Sequence, residues 1–242
     1  MSPLPLTQPV PHGLPGAQRV LVFSPHPDDD VIGCGGALAL HRAAGACVRV
    51  IHVFDGALGG STYARQREAR AAAAELGGLE LEFWGLPEGH ALTLAEDLAG
   101  LRRVRLACAE FQPDLVYAPW IGEGHLDHRT VARVVRAALR EHAPPAWGYE
   151  VWTPLPATRV LDVGEVWERK LAALRAHASQ LVTTDLVRAS AGLASHRALL
   201  LPARTGYAEA FTPLGAGFPA SAREIELSEL SARATAVLEP SR

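Results

Sequence analysis

Phe23-Ser24-Pro25-His26-Pro27-Asp28-Asp29-Asp30 continues the apolar run Val20-Leu21-Val22-Phe23 and places one imidazole and three carboxylates within five residues. The run reads as a buried strand. The polar cluster therefore falls at its C-terminal tip, where open α/β sheets receive their ligands. Three adjacent carboxylates repel one another and desolvate poorly, and a divalent cation compensates them. The alternative is a solvated turn in which Asp28 or Asp29 caps the following helix.

Outward from this stretch, apolar strand candidates at 19–24, 47–54, 79–84, 114–119 and 147–152 alternate with helical patterns at 31–44, 62–77, 92–111 and 127–142. That alternation predicts an α/β fold, a Rossmann-like three-layer arrangement of a mostly parallel sheet with the active site at the C-terminal edge of its strands. Beyond Pro154 the pattern loosens into a short strand near 158–162, helices at 164–178 and 185–200, and a Gly/Pro-rich segment at 212–219. This last third is expected to form a rim around the pocket. The loops at 56–61, 85–91 and 120–125 are expected at the active edge. Residues 1–17 read as a flexible Pro-rich arm and 18–242 as a single domain. The first sixteen residues hold five prolines and no apolar core of a signal peptide.

A second polar cluster, His125-Leu126-Asp127-His128, comes about a hundred residues later, after the apolar run that begins Leu115-Val116-Tyr117-Ala118. Parallel strands direct their tips to one edge, so the two clusters can meet. A set such as His26, Asp29 and His128 offers two neutral nitrogens and a carboxylate and leaves positions open, as catalytic metal sites do. Gly33-Cys34-Gly35-Gly36 lacks dinucleotide-loop spacing, since Leu38 stands where the last glycine belongs, and Lys170 is the only lysine. Those small residues instead predict close packing of helix on strand. His12, His41, His52, His90, His142, His177 and His196 have no partner at ligand spacing and read as ordinary surface or core histidines. His177 alone lies where it could approach the pocket.

His26-Pro27-Asp28-Asp29-Asp30 together with His125-x-Asp127-His128 resembles the paired signature of the LmbE/PIG-L zinc-dependent N-deacetylases, which remove acetyl groups from N-acetylglucosamine-containing molecules. Fainter likenesses run along 19–211: Arg65-x-x-Glu68 opening an Ala-rich helix, Lys170 through Ser179-Gln180, and Glu209-Ala210-Phe211. The family usually has Glu where this chain has Asp30 and proline where it has Leu126. The resemblance implies that His26, Asp29 and His128 bind zinc, that Asp28 is the general base, and that His125 is the general acid or oxyanion stabiliser. Iron(II) suits the same donors. Amide hydrolysis needs an activated water and a stabilised tetrahedral oxyanion, which such a set can supply. The bland alternative for His125 is a helix cap or a fourth ligand. Asp127 is expected to orient the His125 ring, and Asp30 to stand behind the ligands.

Arg65 and Asp55 are the substrate-binding candidates, Arg65 competing with a purely solvated helix face. The resemblance implies a small-molecule sugar conjugate as substrate, a GlcNAc-malate intermediate of a bacillithiol-type pathway among the candidates, and is compatible with a homo-oligomer. Two readings from other classes stand beside it: a non-haem iron enzyme built on the same two histidines and carboxylate, and a non-catalytic small-molecule-binding domain.

Composition bounds the rest. With 242 residues, 48% hydrophobic and 20% charged, the chain can bury one large core. A net charge of −3 without a basic stripe argues against nucleic acid as a partner. No apolar run reaches bilayer length. Cys34, Cys47 and Cys108, without CxxC spacing, read as buried thiols of a cytoplasmic protein.

Overall fold

The computed structural model describes residues 10–89, 93–139 and 144–214. Eight strands, β1 (Val10–Pro11), β2 (Arg19–Ser24), β3 (Cys47–Phe54), β4 (Glu80–Leu86), β5 (Leu115–Pro119), β6 (Ala146–Tyr149), β7 (Arg159–Asp162) and β8 (Ala208–Pro213), form one sheet in the order β1-β7-β8-β6-β5-β2-β3-β4. The helices are α1 (Asp29–Ala43), α2 (Thr62–Glu75), α3 (Leu94–Phe111), α4 (Leu126–Ala138), α5 (Trp167–Ala176), α6 (Ala178–Leu181) and α7 (Leu186–Ala198). The expected α/β class holds. None of the described helices is long and apolar enough to cross a membrane.

The central strands are apolar at consecutive positions because both of their faces are covered. Val20, Val22, Val48, Val50 and Tyr117 pack against α1, α2, α5 and α7, whereas Leu21, Phe23, Ile51, Val53 and Val116 pack against α3 and α4. β2 lies between β3 and β5, parallel to both. The chain runs outward through β3 and β4, then returns to β5 on the other side. The topological switch point is thus at the tips of β2 and β5, where both polar clusters emerge.

The small residues of α1 act as the sequence predicts. A Cβ on Gly33 would collide with the Tyr149 ring, and one on Gly36 would lie 2.7 Å from Val163 Cβ. Helical geometry breaks at Cys34 (φ −140°). The Ile32 carbonyl, which would otherwise accept from Gly36, accepts from Lys170 Nζ at 2.8 Å, while Gly36 N donates to Glu209 Oε1 at 2.7 Å. Lys170 and Glu209 pair with each other at 2.7 Å. A buried ion pair therefore takes up the backbone groups that the kink releases.

Three expectations need correction. The last third does not merely rim a pocket: β7 and β8 extend the sheet, and β8 enters antiparallel between β6 and β7 with Ala210 and Phe211 buried. Next to a Gly/Pro-rich stretch its residues carry little local strand signal, and pairing on both sides makes the strand. The N-terminal arm contributes Val10–Pro11 as an edge strand parallel to β7, with His12 stacked on Trp147. Cys34 is buried, but Cys47 opens β3 exposed and Cys108 is only partly covered. Residues 1–9, His90, His142 and 215–242 lie outside the described residues.

Candidate metal centre

β2 delivers His26 and the start of α1, and β5 with its loop delivers His125 and the start of α4. One oxygen joins them. Asp29 Oδ2 lies 3.1 Å from His26 Nδ1 and 3.1 Å from His128 Nε2, and all three side chains are buried. The contact to His128 has no hydrogen-bond geometry, so its buried Nε2 is left without a hydrogen-bond partner. A cation bound there would give that nitrogen a partner. A tetrahedral zinc with bonds of about 2.0–2.1 Å has donor-to-donor edges of about 3.3 Å; both edges through Asp29 Oδ2 are close to that, and all three donor atoms lie within 4.8 Å of one another.

Carboxylates back both rings. Asp127 Oδ2 and Glu88 Oε2 each lie 3.0 Å from His26 Nε2, and Glu123 Oε2 lies 3.4 Å from His128 Nδ1, a charge contact without hydrogen-bond geometry. This arrangement orients ligating imidazoles and raises their basicity. Burial alone would lower the His26 pKa, but its bonds to Asp127, Asp29 and Glu88 outweigh burial and raise it to about 12. For His128, Asp29 and Glu123 overcome burial and raise it to about 9. The negative field that holds a proton on these rings would hold a cation in its place. Asp127 therefore serves His26 and not His125, whose Nδ1 is 3.9 Å away. His26, His125 and Asp127 form a second close group, in which His125 is exposed, whereas every member of the first is buried.

Glu88 and Glu123 carry no motif and escaped the sequence reading, although both fall in loops expected at the active edge. Their positions are fixed by backbone. Glu88 accepts from Leu58 N, and Glu123 accepts from Val151 N at 2.7 Å.

Asp28 occupies the N-cap position of α1 but makes no capping bond with its side chain. Instead Asp28 Oδ1 accepts from Arg65 Nη2 at 2.9 Å, which disposes of the simple helix-cap reading. Burial and the charge of Asp29 raise the Asp28 pKa to about 6, against the pull of Arg65, His26 and His128. A carboxyl poised there can exchange protons near neutrality. Arg65 is only 4% exposed, and its Nη1 donates to the Gly56 carbonyl, so the structure places it beneath Asp28 instead of open to substrate. Asp55 accepts from Ala57 N and shapes the turn after β3.

Asp30 is bonded to Ser24 through its backbone N, 3.1 Å from Ser24 Oγ, and burial with the charge of Asp28 raises its pKa to about 7. Its Oδ1 stops 3.8 Å from His52 Nε2, beyond hydrogen-bond reach. Buried His52 and His177 have no hydrogen-bond partner at either ring nitrogen. His177 is thus not an ordinary surface histidine; it lies in the electrostatic field of Glu68, Arg65 and Asp29.

His125 is the exposed member, its side chain 43% accessible and its ring centroid 5.2 Å from that of His26. Its Nδ1 accepts from Asp127 N at 3.2 Å, making it the N-cap of α4. The accepting nitrogen carries no proton, so the neutral ring bears its hydrogen on Nε2. Burial and the charges of His128 and His26 lower its pKa, which keeps the ring neutral.

Residues 21–139 match the family described as PIG-L: GlcNAc-PI de-N-acetylase. The chain is 29% identical over 191 residues to diacetylchitobiose deacetylase of Thermococcus kodakarensis, covering 67% of this chain and 70% of that one. It is also 29% identical over 195 residues to 4-oxalmesaconate hydratase of Pseudomonas putida, covering 67% and 74%. Among solved structures, a conserved protein of Thermus thermophilus superposes with a TM-score of 0.72 at 26% identity, over 81% of this chain and 94% of that one.

Proposed function

Because the chain carries a PIG-L (LmbE-like) family domain, we propose that it is a metal-dependent N-deacetylase acting on an N-acetylglucosamine conjugate. The observation that carries the reading is the meeting of His26 Nδ1, Asp29 Oδ2 and His128 Nε2 beside a buried, arginine-held Asp28. His26, Asp29 and His128 would hold the cation, with zinc the first choice and iron(II) compatible with the same donors. When bound, a cation there supplies a nucleophilic water at neutral pH and polarises the amide carbonyl.

The chain's own residues do the rest. Asp28 takes the proton of the attacking water on its carboxylate and returns it to the departing amine. The Nε2–H of neutral His125 donates to the developing oxyanion, a hydrogen bond that strengthens as charge accumulates. Arg65 holds Asp28 in place. Asp127 and Glu88 keep the His26 ring aimed, and Glu123 does the same for His128.

The test is release of primary amine from N-acetylglucosamine, diacetylchitobiose, and the inositol and malate conjugates of N-acetylglucosamine, using zinc-loaded protein. Release abolished by chelation and by Asp28→Asn supports the reading, and the best conjugate names the substrate class. The hydratase of Pseudomonas putida matches as well as the deacetylase does. No amine from any conjugate, with water added to an unsaturated dicarboxylate instead, overturns the deacetylase reading.

A further inference from the structure

Among the described residues, the buried side-chain nitrogens without a hydrogen-bond partner include both ring nitrogens of His52, both of His177, and Arg65 Nε. These three side chains come from different elements and meet behind the metal centre. His52 shares the face of β3 with Val48 and Val50, the face covered by α1, α2 and α5, and its register partner on β2 is Ser24. Arg65 and, one turn on, Glu68 come from α2, and His177 follows α5. Asp30 approaches from α1, its Oδ1 3.8 Å from His52 Nε2. Both rings lie in the field of Arg65, and His52 lies in that of His177.

Buried polar groups are almost always paired, and a local set of unpaired ones marks a place where something binds. Burial lowers the His52 pKa to about 3 and, against the pull of Glu68, the His177 pKa to about 4. Both rings are therefore neutral, each with one N–H and one bare nitrogen. With Arg65 Nε the set offers three donors and two acceptors. A cation would face the Arg65 guanidinium, and the two close groups of metal donors among the described residues contain neither ring. An anion would face Asp30 and Glu68. Water satisfies both kinds of group, accepting from N–H and donating to bare nitrogen. The terminal nitrogens of Arg65 are already committed, Nη2 to Asp28 Oδ1 at 2.9 Å and Nη1 to the Gly56 carbonyl at 3.2 Å. A partner on Nε would fix the plane of the guanidinium and so the carboxylate it holds.

We propose, resting on the deacetylase reading, that His52, His177 and Arg65 Nε bind buried water, and that the two histidines are positioning residues which hold Arg65, and through it Asp28, by way of that water.

The experiment has two arms. A high-resolution crystal structure of the wild-type enzyme should show ordered water within hydrogen-bond reach of Arg65 Nε and of a ring nitrogen of His52 or His177. A metal ion or an anion there, or rings paired directly with protein groups, overturns the water site. The second arm measures kcat and KM for amine release, with zinc in excess, in wild type, His177→Leu, His177→Gln, Arg65→Met and Arg65→Met/His177→Leu. His177→Leu should lower kcat about 5- to 10-fold, as the loss of one hydrogen bond would, with KM unchanged. His177→Gln keeps a donor and an acceptor and should recover most of the loss. In the Arg65→Met background His177→Leu should cost nothing further. An unchanged kcat in His177→Leu, equal losses in both backgrounds, or a loss shared by Leu and Gln overturns the positioning role. His52→Leu takes its place in the cycle where His177→Leu fails to fold. No amine from the wild type overturns the deacetylase reading and the positioning role with it, and the crystal structure alone then decides the water site.

Discussion

Replacing Arg65 by Met removes the guanidinium that lies 2.9 Å from Asp28 Oδ1 and keeps most of the apolar stem. Asp28 stands at about 6 because burial and Asp29 raise its pKa while Arg65, His26 and His128 lower it. An opposite charge in contact lowers a carboxylate by roughly 1 to 3 pH units, so its loss should carry Asp28 to about 7–9. A base works only when ionised: activity is present above its pKa and lost as the pH falls through it. At pH 7 about nine-tenths of Asp28 is ionised in the wild type, against about one half to one hundredth in the variant. We expect kcat/KM at pH 7 to fall about 2- to 100-fold and to recover towards the wild-type value near pH 10. A cation at the neighbouring site lowers both acid limbs alike, so the displacement between the two profiles is the quantity to read. The assay is kcat/KM from pH 5 to 10 with zinc in excess. An unmoved acid limb with KM raised at every pH would refute the reasoning and return Arg65 to substrate binding.

Further expectations concern the cation, the kink and the core. Asp29→Asn or His128→Ala should abolish stoichiometric zinc retention after dialysis, measured by atomic emission, while circular dichroism stays native; undiminished zinc would place the cation elsewhere. Lys170→Met strands Glu209 among the freed backbone groups of α1 and should cost about 3–5 kcal/mol in urea unfolding, with Lys170→Met/Glu209→Gln recovering part of it. His41 is buried, and burial lowers its pKa to about 4 against the opposing charge of Asp114. Its folded pKa is below the unfolded value, so no stability is lost above about pH 6.5, and stability falls as pH drops from there towards 4. At pH 5 the loss is about 2 kcal/mol. His41→Gln should therefore reduce the difference in unfolding free energy between pH 7.5 and 5 by that amount, and an unchanged difference would show that His41 titrates freely.

The alternation of apolar runs with helical patterns was enough to infer the α/β class, because strands buried on both faces must be apolar at every position. The two polar clusters were legible for a related reason: each follows such a run, and the C-terminal tips of parallel strands share one edge. Even the fainter likenesses meet in space. Glu68 accepts from Ser179 Oγ at 2.7 Å, and Lys170 pairs with Glu209. Sequence spacing could not announce those pairs, since they join elements 111 and 39 residues apart.

Roles that depend on which neighbour a side chain meets were decided by tertiary structure. Arg65 reads in the sequence as a substrate-binding candidate competing with a solvated helix face, and folding brings it against Asp28. Asp127 is two residues from His125, yet its carboxylate reaches His26 across the sheet edge. Glu88 and Glu123 are isolated acids in the chain and become the supports of two imidazoles only when loops converge. β8 becomes a strand because β6 and β7 offer it hydrogen bonds on both sides. Local sequence carries periodicity and the identity of donors; distance, burial and pairing arise from contacts between residues far apart in the chain, which no local pattern encodes.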